Sequence, residues 1–139
     1  MKKFLLGFFL LSFVYACNSD DAVPLIFSQV IIVEDDLFAN ASTDDFSLIN
    51  AEVNGDSLKL IVQYGGGCGN IGAKVVSVAS ILKLNPPQKN IRLLFHDNDD
   101  CEALLSREVA FDLTPLRFPG YHEMGLRLEG WDGELVYRF

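Results

Sequence analysis

The sequence predicts an all-β protein, an antiparallel β-sandwich of seven or eight strands with an immunoglobulin-like or related arrangement. Short runs of alternating apolar and polar residues recur along it, and many of their members are β-branched. Turn residues separate these runs at the spacing typical of sandwiches and small barrels. The sequence shows no internal repeats and no low-complexity tracts.

The domain is predicted to begin with a strand and a hairpin. Leu25–Val33 is mostly apolar, which favours a strand that is central or buried on both faces, and residues 34–45 form an acidic loop. Asn54-Gly55 predicts a tight turn between two strands, residues 46–53 and 57–64, because both central positions of such a turn need positive φ. In the second arm one face is apolar: Leu58, Leu60, Val62 and Tyr64.

The next two strands follow a glycine-rich run over residues 65–72. Residues 74–84 alternate as a strand, with Val76, Val78, Leu82 and Leu84 on one face. Pro86-Pro87 ends this strand, since proline cannot donate to a ladder. Residues 90–96 form the next strand, with Ile91, Leu93 and Phe95 pointing inward.

The last part of the chain predicts one more strand and a final hairpin. Residues 102–105 have helical propensity and Asp100 is suited to cap a single turn, whereas residues 108–113 alternate as a strand. The hairpin turns at Trp131-Asp132-Gly133, and its inward residues are Leu126, Leu128, Leu135, Tyr137 and Phe139. We expect Trp131 to pack over the end of the sandwich; the alternative is an exposed ring that stacks on a sugar or a partner.

The N-terminus has the pattern of an export signal. Lys2 and Lys3 precede an apolar run from Phe4 to Tyr15, and Ala16 stands directly before Cys17. This run is shorter than the roughly 20 residues that span a bilayer as a helix. Residues 1–16 are therefore predicted to be a cleaved signal peptide.

Val14-Tyr15-Ala16-Cys17 resembles the lipobox of bacterial lipoproteins, apart from Tyr15, where a small residue is usual. The resemblance implies acylation of Cys17 (palmitate among the chains) and a lipid-anchored protein of the outer membrane. Residues 17–24 then form a tether that precedes the domain at 25–139. Asp20-Asp21 in this tether resembles the export tags of surface lipoproteins of the Bacteroidota; a simple solvated linker is the alternative. The periplasmic and the cell-surface face both stay open.

The charge of the mature chain argues against nucleic acid as a partner. Loss of Lys2 and Lys3 reduces 11 basic residues to 9, against 19 acidic residues, so the net charge is about −10. Such a surface repels phosphate backbones and anionic headgroups. Membrane attachment is therefore expected to come from the lipid alone.

Cysteine use fits an oxidising compartment. The sequence has three cysteines, and acylation of Cys17 leaves Cys68 and Cys101 as a pair. We expect this pair to form a disulfide. Free thiols, or thiolates that bind a metal, are the alternatives.

The densest polar cluster, residues 96–102, contains candidate metal ligands. Oxygen atoms of Asp97, Asp99 and Asp100 suit calcium, although the order departs from an EF-hand loop. Cys68, His96 and Cys101, with His122 as a fourth member, suit zinc or cuprous copper, but no pair has the usual ligand spacing. A loop of solvated acids explains the cluster equally well, so no metal and no cofactor is predicted.

The sequence predicts no enzyme. The glycine run lacks the Lys-Ser or Lys-Thr of a phosphate-binding loop and is flanked by strands, so its glycines are expected to allow a bulge or corner beside Cys68. Neither histidine lies in a nucleophile motif, and no serine has a nucleophile elbow. A carboxylate pair such as Glu123 with Asp132 is conceivable for glycoside cleavage, but the sequence does not place the two together.

One series of motifs resembles a known family: Gly-Gly-Gly-Cys68, Pro86-Pro87-Gln88, the segment from His96 to Ala103, and the segment from Phe111 to Leu116. The chain is similar to uncharacterised Bacteroidota lipoproteins and, distantly, to the C-terminal β-sandwich of NigD-like proteins. It has no room for that family's small N-terminal domain. Because the family lacks an assigned activity, the resemblance implies fold and location only.

These observations predict a lipid-anchored, non-enzymatic binding or accessory module with a protein or glycan partner. The alternative is a periplasmic metal-binding protein that uses the region of Cys68, His96 and Cys101.

Overall fold

The computed structural model describes residues 26–98 and 100–139. The predicted signal peptide, Cys17, the tether and Asp99 lie outside these residues. The described strands are β1 (Ile26–Val30), β2 (Ile32–Val33), β3 (Ser47–Asn54), β4 (Ser57–Gly66), β5 (Gly72–Ser77), β6 (Gln88–His96), β7 (Ala103–Asp112), β8 (Glu123–Leu128) and β9 (Leu135–Arg138). A short helix, α1 (Asp35–Asn40), follows β2, and a 3-10 turn (Thr114–Leu116) follows β7.

The strands form two packed sheets, which confirms the all-β sandwich. The four-stranded sheet has the order β1-β7-β4-β3, and the five-stranded sheet has the order β2-β5-β6-β8-β9. Alternate side chains of each strand point into the space between the sheets, as the period of two requires. The predicted inward residues are buried there: Leu58, Leu60, Val62, Tyr64, Ile91, Leu93, Phe95, Leu126, Leu128, Leu135 and Tyr137.

The sheets are mixed, whereas the sequence predicts antiparallel pairing. The pairs β1–β7, β2–β5 and β6–β8 are parallel. The parallel pairing of β6 and β8 follows from the path of the chain. β7 lies between them in sequence but belongs to the other sheet, so the chain crosses over and re-enters the five-stranded sheet in the direction of β6. Local alternation predicts where strands lie but carries no information on which strands become neighbours.

The predicted first strand, Leu25–Val33, is divided between the two sheets. β1 pairs with β7 and β2 pairs with β5, and Ile31 between them is 2% exposed. Both strands lie at sheet edges, so the prediction of one central strand is wrong. The segment crosses from one sheet to the other at the side of the sandwich, and Ile31 is buried at the crossing point.

Helix α1 lies where the sequence predicts only a polar loop. It packs on the outer face of the five-stranded sheet, where Arg92 Nη1 donates to the Phe38 carbonyl at 3.0 Å. The Ala79 amide donates to Asp35 Oδ1 at 2.7 Å. Because of this cover, Val76 and Leu94 are buried although they point away from the central core.

Two predicted boundaries are wrong. β5 ends at Ser77, and beyond it a single bridge joins Leu82 to Gln88, so Leu84 is exposed rather than inward. The single helical turn that residues 102–105 could have formed is absent. β7 begins at Ala103, which pairs with Gly66 of β4, and ladder pairing outweighs the weak helical propensity there.

The first hairpin turns one residue later than Asn54-Gly55 predicts. Asn54 pairs with Ser57, so Gly55 and Asp56 are the central residues of the turn. Gly55 has φ +57°, and Asp56 has negative φ, so a single position of the turn uses the left-handed region. This register matters because it places Asp56 at the end of the sandwich.

Candidate binding groove

Cys68 and Cys101 form a disulfide, as the sequence predicts. Their Cα atoms lie 5.9 Å apart, two residues beyond the last β4–β7 pair, Gly66 with Ala103. The bridge therefore continues the register of the four-stranded sheet. Gly67 beside it has φ +124°, and a Cβ there would lie 3.3 Å from Leu105 Cδ1. This confirms the prediction that a glycine corner adjoins the bridge.

The predicted polar cluster contacts a residue that sequence reasoning missed. His96 Nδ1 lies 3.5 Å from Asp44 Oδ2, and the Asp97 amide donates to the same carboxylate oxygen at 3.1 Å. Asp44 lies in the loop after α1. Its backbone amide donates to the Phe95 carbonyl at 2.8 Å, which attaches this loop to β6. This pairing depends on the path of α1, and no sequence signal indicates it.

The structure does not assemble the thiolate metal site that was the alternative to the predicted disulfide. The sulfur atoms of Cys68 and Cys101 are bonded to each other, so neither can ligate a metal as a thiolate while the bridge is intact. Within residues 26–98 and 100–139, no group of three His, Cys, Asp or Glu side chains converges. Asp100 is exposed in the loop after β6, and Asp99 is outside the described residues.

The other candidate chemical groups are also kept apart. His96 ends β6 at the disulfide end of the sandwich, whereas His122 precedes β8 at the opposite end. Glu123 is the first residue of β8 and Asp132 follows the end of that strand, so the two are separated by its length. Neither the pair of histidines nor this pair of carboxylates forms a site.

A groove of about 860 Å³ lies on the outer face of the five-stranded sheet. Strands β6, β8 and β9 form its floor, and Phe38 of α1 lies at its border. Its lining is rich in polar and charged side chains: Gln88, Asn90, Arg127, Glu129, Asp132 and Glu134. The floor follows the strands over about six residues, which corresponds to roughly 20 Å.

A glycine in the middle of the sheet contributes to the depth of this groove. Gly125 occupies an outward position of β8, and the Gln88 side chain lies over it. A Cβ at Gly125 would be only 3.1 Å from Gln88 Cγ. Beside the groove, Arg92 Nε lies 3.6 Å from Glu129 Oε1, which fixes one carboxylate at its edge.

Trp131 closes the end of the groove at the β8–β9 turn. It is half-buried and packs against the core, in agreement with the predicted position over the sandwich end. Its Nε1 atom is buried and has no hydrogen-bond partner among the described residues. The ring lies so close to Gly133 that a Cβ there would be 2.9 Å from Trp131 Cε2.

At the opposite end, three side chains join the two sheets. Asp56 Oδ1 accepts hydrogen bonds from the Tyr137 hydroxyl at 2.6 Å and from Arg117 Nη2 at 2.7 Å. Arg117 Nε also donates to the Tyr137 oxygen at 2.9 Å, and its guanidinium lies 5.8 Å from the centre of the Phe139 ring. This cluster connects the β3–β4 turn of one sheet to β9 of the other.

The three groups shift one another's proton affinities. The hydrogen bond from Tyr137, then that from Arg117, lowers the pKa of Asp56 below 3.8. Burial, then the hydrogen bond to Asp56, raises the pKa of Tyr137 above 10.0. The pKa of Arg117 is raised by the same partners, so the ion pair and the neutral phenol persist across the physiological range.

Solved structures show what this fold is similar to. A NigD-like immunity protein from Bacteroides caccae superposes with a TM-score of 0.58 at 10% identity, over 73% of this chain and 51% of that chain. The fold is shared. The resemblance to NigD-like proteins predicted from the sequence is thus confirmed at the level of the β-sandwich.

Two further structures have the same fold. A protein of unknown function from Bacteroides vulgatus gives a TM-score of 0.54 at 16% identity, over 84% of this chain and 56% of that chain. A putative toxin-related protein from Parabacteroides distasonis gives 0.52 at 13% identity, over 81% of this chain and 60% of that chain. The chain spans between about half and three fifths of the length of these three proteins. No protein-family model and no curated protein matches the sequence.

In the part of the chain from Ile26 onward that the structure describes, no helix has the length and apolar character needed to cross a membrane.

Proposed function

We propose that the protein is a lipid-anchored lipoprotein of the outer membrane, on its periplasmic or cell-surface face, that serves as a non-enzymatic binding or accessory module. The anchor rests on the lipobox-like sequence that ends at Cys17. The binding role rests on one observation, the polar groove on the outer face of the five-stranded sheet.

The chemistry of the groove favours a neutral oligosaccharide as its ligand. The amides of Gln88 and Asn90 and the guanidinium of Arg127 offer donors, and the carboxylates of Glu129 and Glu134 offer acceptors. Sugar hydroxyls both donate and accept, so they suit a surface on which these groups alternate. The carboxylates disfavour an acidic ligand, and the roughly 20 Å floor suits a short extended chain.

The composition of the lining supports binding rather than catalysis. The described groove residues include no histidine, serine, threonine, cysteine or lysine, so carboxylates are the one type of nucleophile among them. The two histidines lie at opposite ends of the sandwich, away from the middle of the groove. The groove therefore offers hydrogen-bonding groups, and in the proposed complex its carboxylates, Glu129, Asp132 and Glu134, serve as acceptors.

The anchor is tested by labelling cells with radioactive palmitate and separating their membranes. The wild-type protein is expected to carry the label and to sediment with outer membranes. Cys17→Ser is expected to lose the label and to become soluble as a folded protein. An unlabelled wild-type protein, or an unfolded Cys17→Ser variant, would contradict the proposed anchor.

The groove is tested with the mature protein in detergent on a panel of neutral oligosaccharides. Asn90→Ala and Arg127→Ala each remove a hydrogen-bonding group and are expected to weaken binding about tenfold. Lys59→Ala is the matched control, because Lys59 points outward from the other sheet. Binding that is unchanged in both groove variants, or absent across the panel, would refute the proposed ligand site.

A further inference from the structure

We infer that one end of the sandwich rests on the lipid bilayer, which orients the groove relative to the membrane. This membrane-facing end consists of the β3–β4 turn at 55–56, the loop 78–87 and the segment 113–122. The inference rests on the proposed acylation of Cys17 and adds to it a specific protein surface that contacts lipid.

The exposed apolar side chains are concentrated at this end. Leu84 is 54% exposed and lines, together with Tyr121, a cavity of about 430 Å³. The rings of Tyr121 and Phe118 lie 6.0 Å apart. Of the eight exposed large hydrophobic residues among those described, six lie at or beside this end: Val30, Val33, Leu82, Leu84, Phe118 and Tyr121. Clustered exposure of this kind marks an interaction surface, whereas single exposed residues do not.

Charge distinguishes the two ends of the sandwich. The described residues of the loops at the opposite end (41–46, 67–71, 97–98, 100–102 and 129–134) include eight Asp and Glu and no Lys or Arg. The loops of the membrane-facing end contain a single carboxylate, Asp56, together with Lys83 and Arg117. Glu34 and Asp35 at the start of α1 add carboxylates to the membrane-facing end, since the Glu34 amide donates to the Ser77 carbonyl and Asp35 Oδ1 accepts from the Ala79 amide. An anionic bilayer therefore repels the end without basic residues more strongly than the apolar end, where Lys83 and Arg117 partly offset the carboxylates.

The sequence of loop 78–87 suits a membrane interface. Lys83 stands between the exposed residues Leu82 and Leu84. A lysine in this position can keep its ammonium group among the headgroups while its neighbours enter the apolar region. The aromatic side chains of Phe118 and Tyr121 suit the same depth.

The tether is long enough for this orientation. β1 begins at Ile26, which pairs with Val109, three residues from the last residue of β7 at the membrane-facing end. This separation corresponds to about 10 Å along the sheet. The nine residues from Cys17 to Leu25 span up to about 30 Å when extended. The length of the tether permits either end of the sandwich to meet the bilayer. The distribution of exposed apolar and charged residues favours the membrane-facing end.

The test uses the acylated mature protein in vesicles of phosphatidylethanolamine and phosphatidylglycerol, with and without brominated acyl chains. Trp131, the sole tryptophan, reports the acidic end in the wild-type protein. Phe118→Trp combined with Trp131→Phe places the only indole at the membrane-facing end. We expect bromine to quench most of the emission of the double variant and to leave the wild-type emission unchanged.

Two pairs of substitutions provide the comparison in the same Phe118→Trp background. Leu84→Ser with Tyr121→Ser is expected to reduce the quenching, since it removes apolar contact with lipid. Ile49→Ser with Leu104→Ser is the matched control, because these exposed apolar residues lie toward the other end. Equal quenching in both pairs would overturn the inference.

The outcomes separate this inference from the proposed anchor. Protein that floats with the vesicles but shows no quenching at position 118 would leave the anchor standing and refute the docked orientation, in favour of a protein partner at this surface. Quenching of Trp131 instead would show the reverse orientation. Protein that does not float with the vesicles would refute the anchor, and the orientation with it.

Discussion

The Tyr137 hydroxyl donates to Asp56 Oδ1 at 2.6 Å and so joins the last strand of one sheet to the first hairpin turn of the other. The sandwich is closed at this end by a hydrogen-bonded ion pair. Tyr137 is fully buried and Asp56 lies at the surface, so the bond connects the core to the exterior.

Tyr137→Phe is expected to destabilise the fold by about 1–2 kcal/mol, because Asp56 and Arg117 both lose a hydrogen-bond partner. Urea unfolding followed by circular dichroism measures the loss. Tyr121→Phe is the control, since that ring is exposed. Equal stability of the Tyr137→Phe variant and the wild type would show that the cluster contributes nothing.

Stability is expected to fall in acid as Asp56 is protonated. The hydrogen bonds from Tyr137 and Arg117 lower its pKa in the folded protein, so the unfolded chain takes up the proton first as the pH falls. The stabilisation is complete above the unfolded pKa of about 3.8 and is lost as the pH falls through the lower folded value. Asp56→Asn should therefore differ from the wild type at pH 6 and converge with it toward pH 2. A difference that stays constant over this range would exclude Asp56 as the titrating group.

Loss of the disulfide is expected to cost about 3–4 kcal/mol, from the loop entropy of a cross-link between residues separated by 33 positions. Cys68→Ala with Cys101→Ala tests this by urea unfolding without a reductant. The same measurement on the wild type with and without dithiothreitol should give a similar difference. A double variant as stable as the oxidised protein would show that the bridge does not stabilise the fold.

Gly133→Ala is expected to displace Trp131, because the added methyl group would overlap the indole ring. Overpacking of this kind costs about 1–3 kcal/mol. The change should appear both in urea unfolding and as a shift of the tryptophan emission. Gly72→Ala is the control, since its Cβ would make ordinary contact at 3.9 Å with His96. An unshifted emission from Gly133→Ala would contradict the close packing of the turn.

Much of the sandwich could be predicted because burial of one sheet face imposes a period of two on the sequence. This held for β4, β6 and the final hairpin, whose inward residues are the core. The disulfide could also be predicted. Acylation of Cys17 leaves two cysteines, and the predicted compartment is oxidising.

The sequence could not predict features that depend on which segments meet in space. The crossing at Ile31 looks like a continuous strand because the apolar run continues without a turn residue from β1 into β2. The contact of His96 with Asp44 depends on the path of α1, and that of Asp56 with Tyr137 on a turn placed one residue later than expected. The groove was missed because its floor consists of outward-facing residues whose polarity resembles that of any solvated sheet face.

The position of the disulfide has a consequence for the fate of the protein after cleavage. The chain leaves the four-stranded sheet after β4, contributes the β5–β6 hairpin to the other sheet, and returns at β7, and the bridge joins the points of departure and return. In protein released from the membrane, a protease that cuts once in the exposed loop around Lys83 opens this ring without releasing a fragment. The nicked molecule remains one covalent unit with both sheets attached, and it separates into two pieces only after reduction.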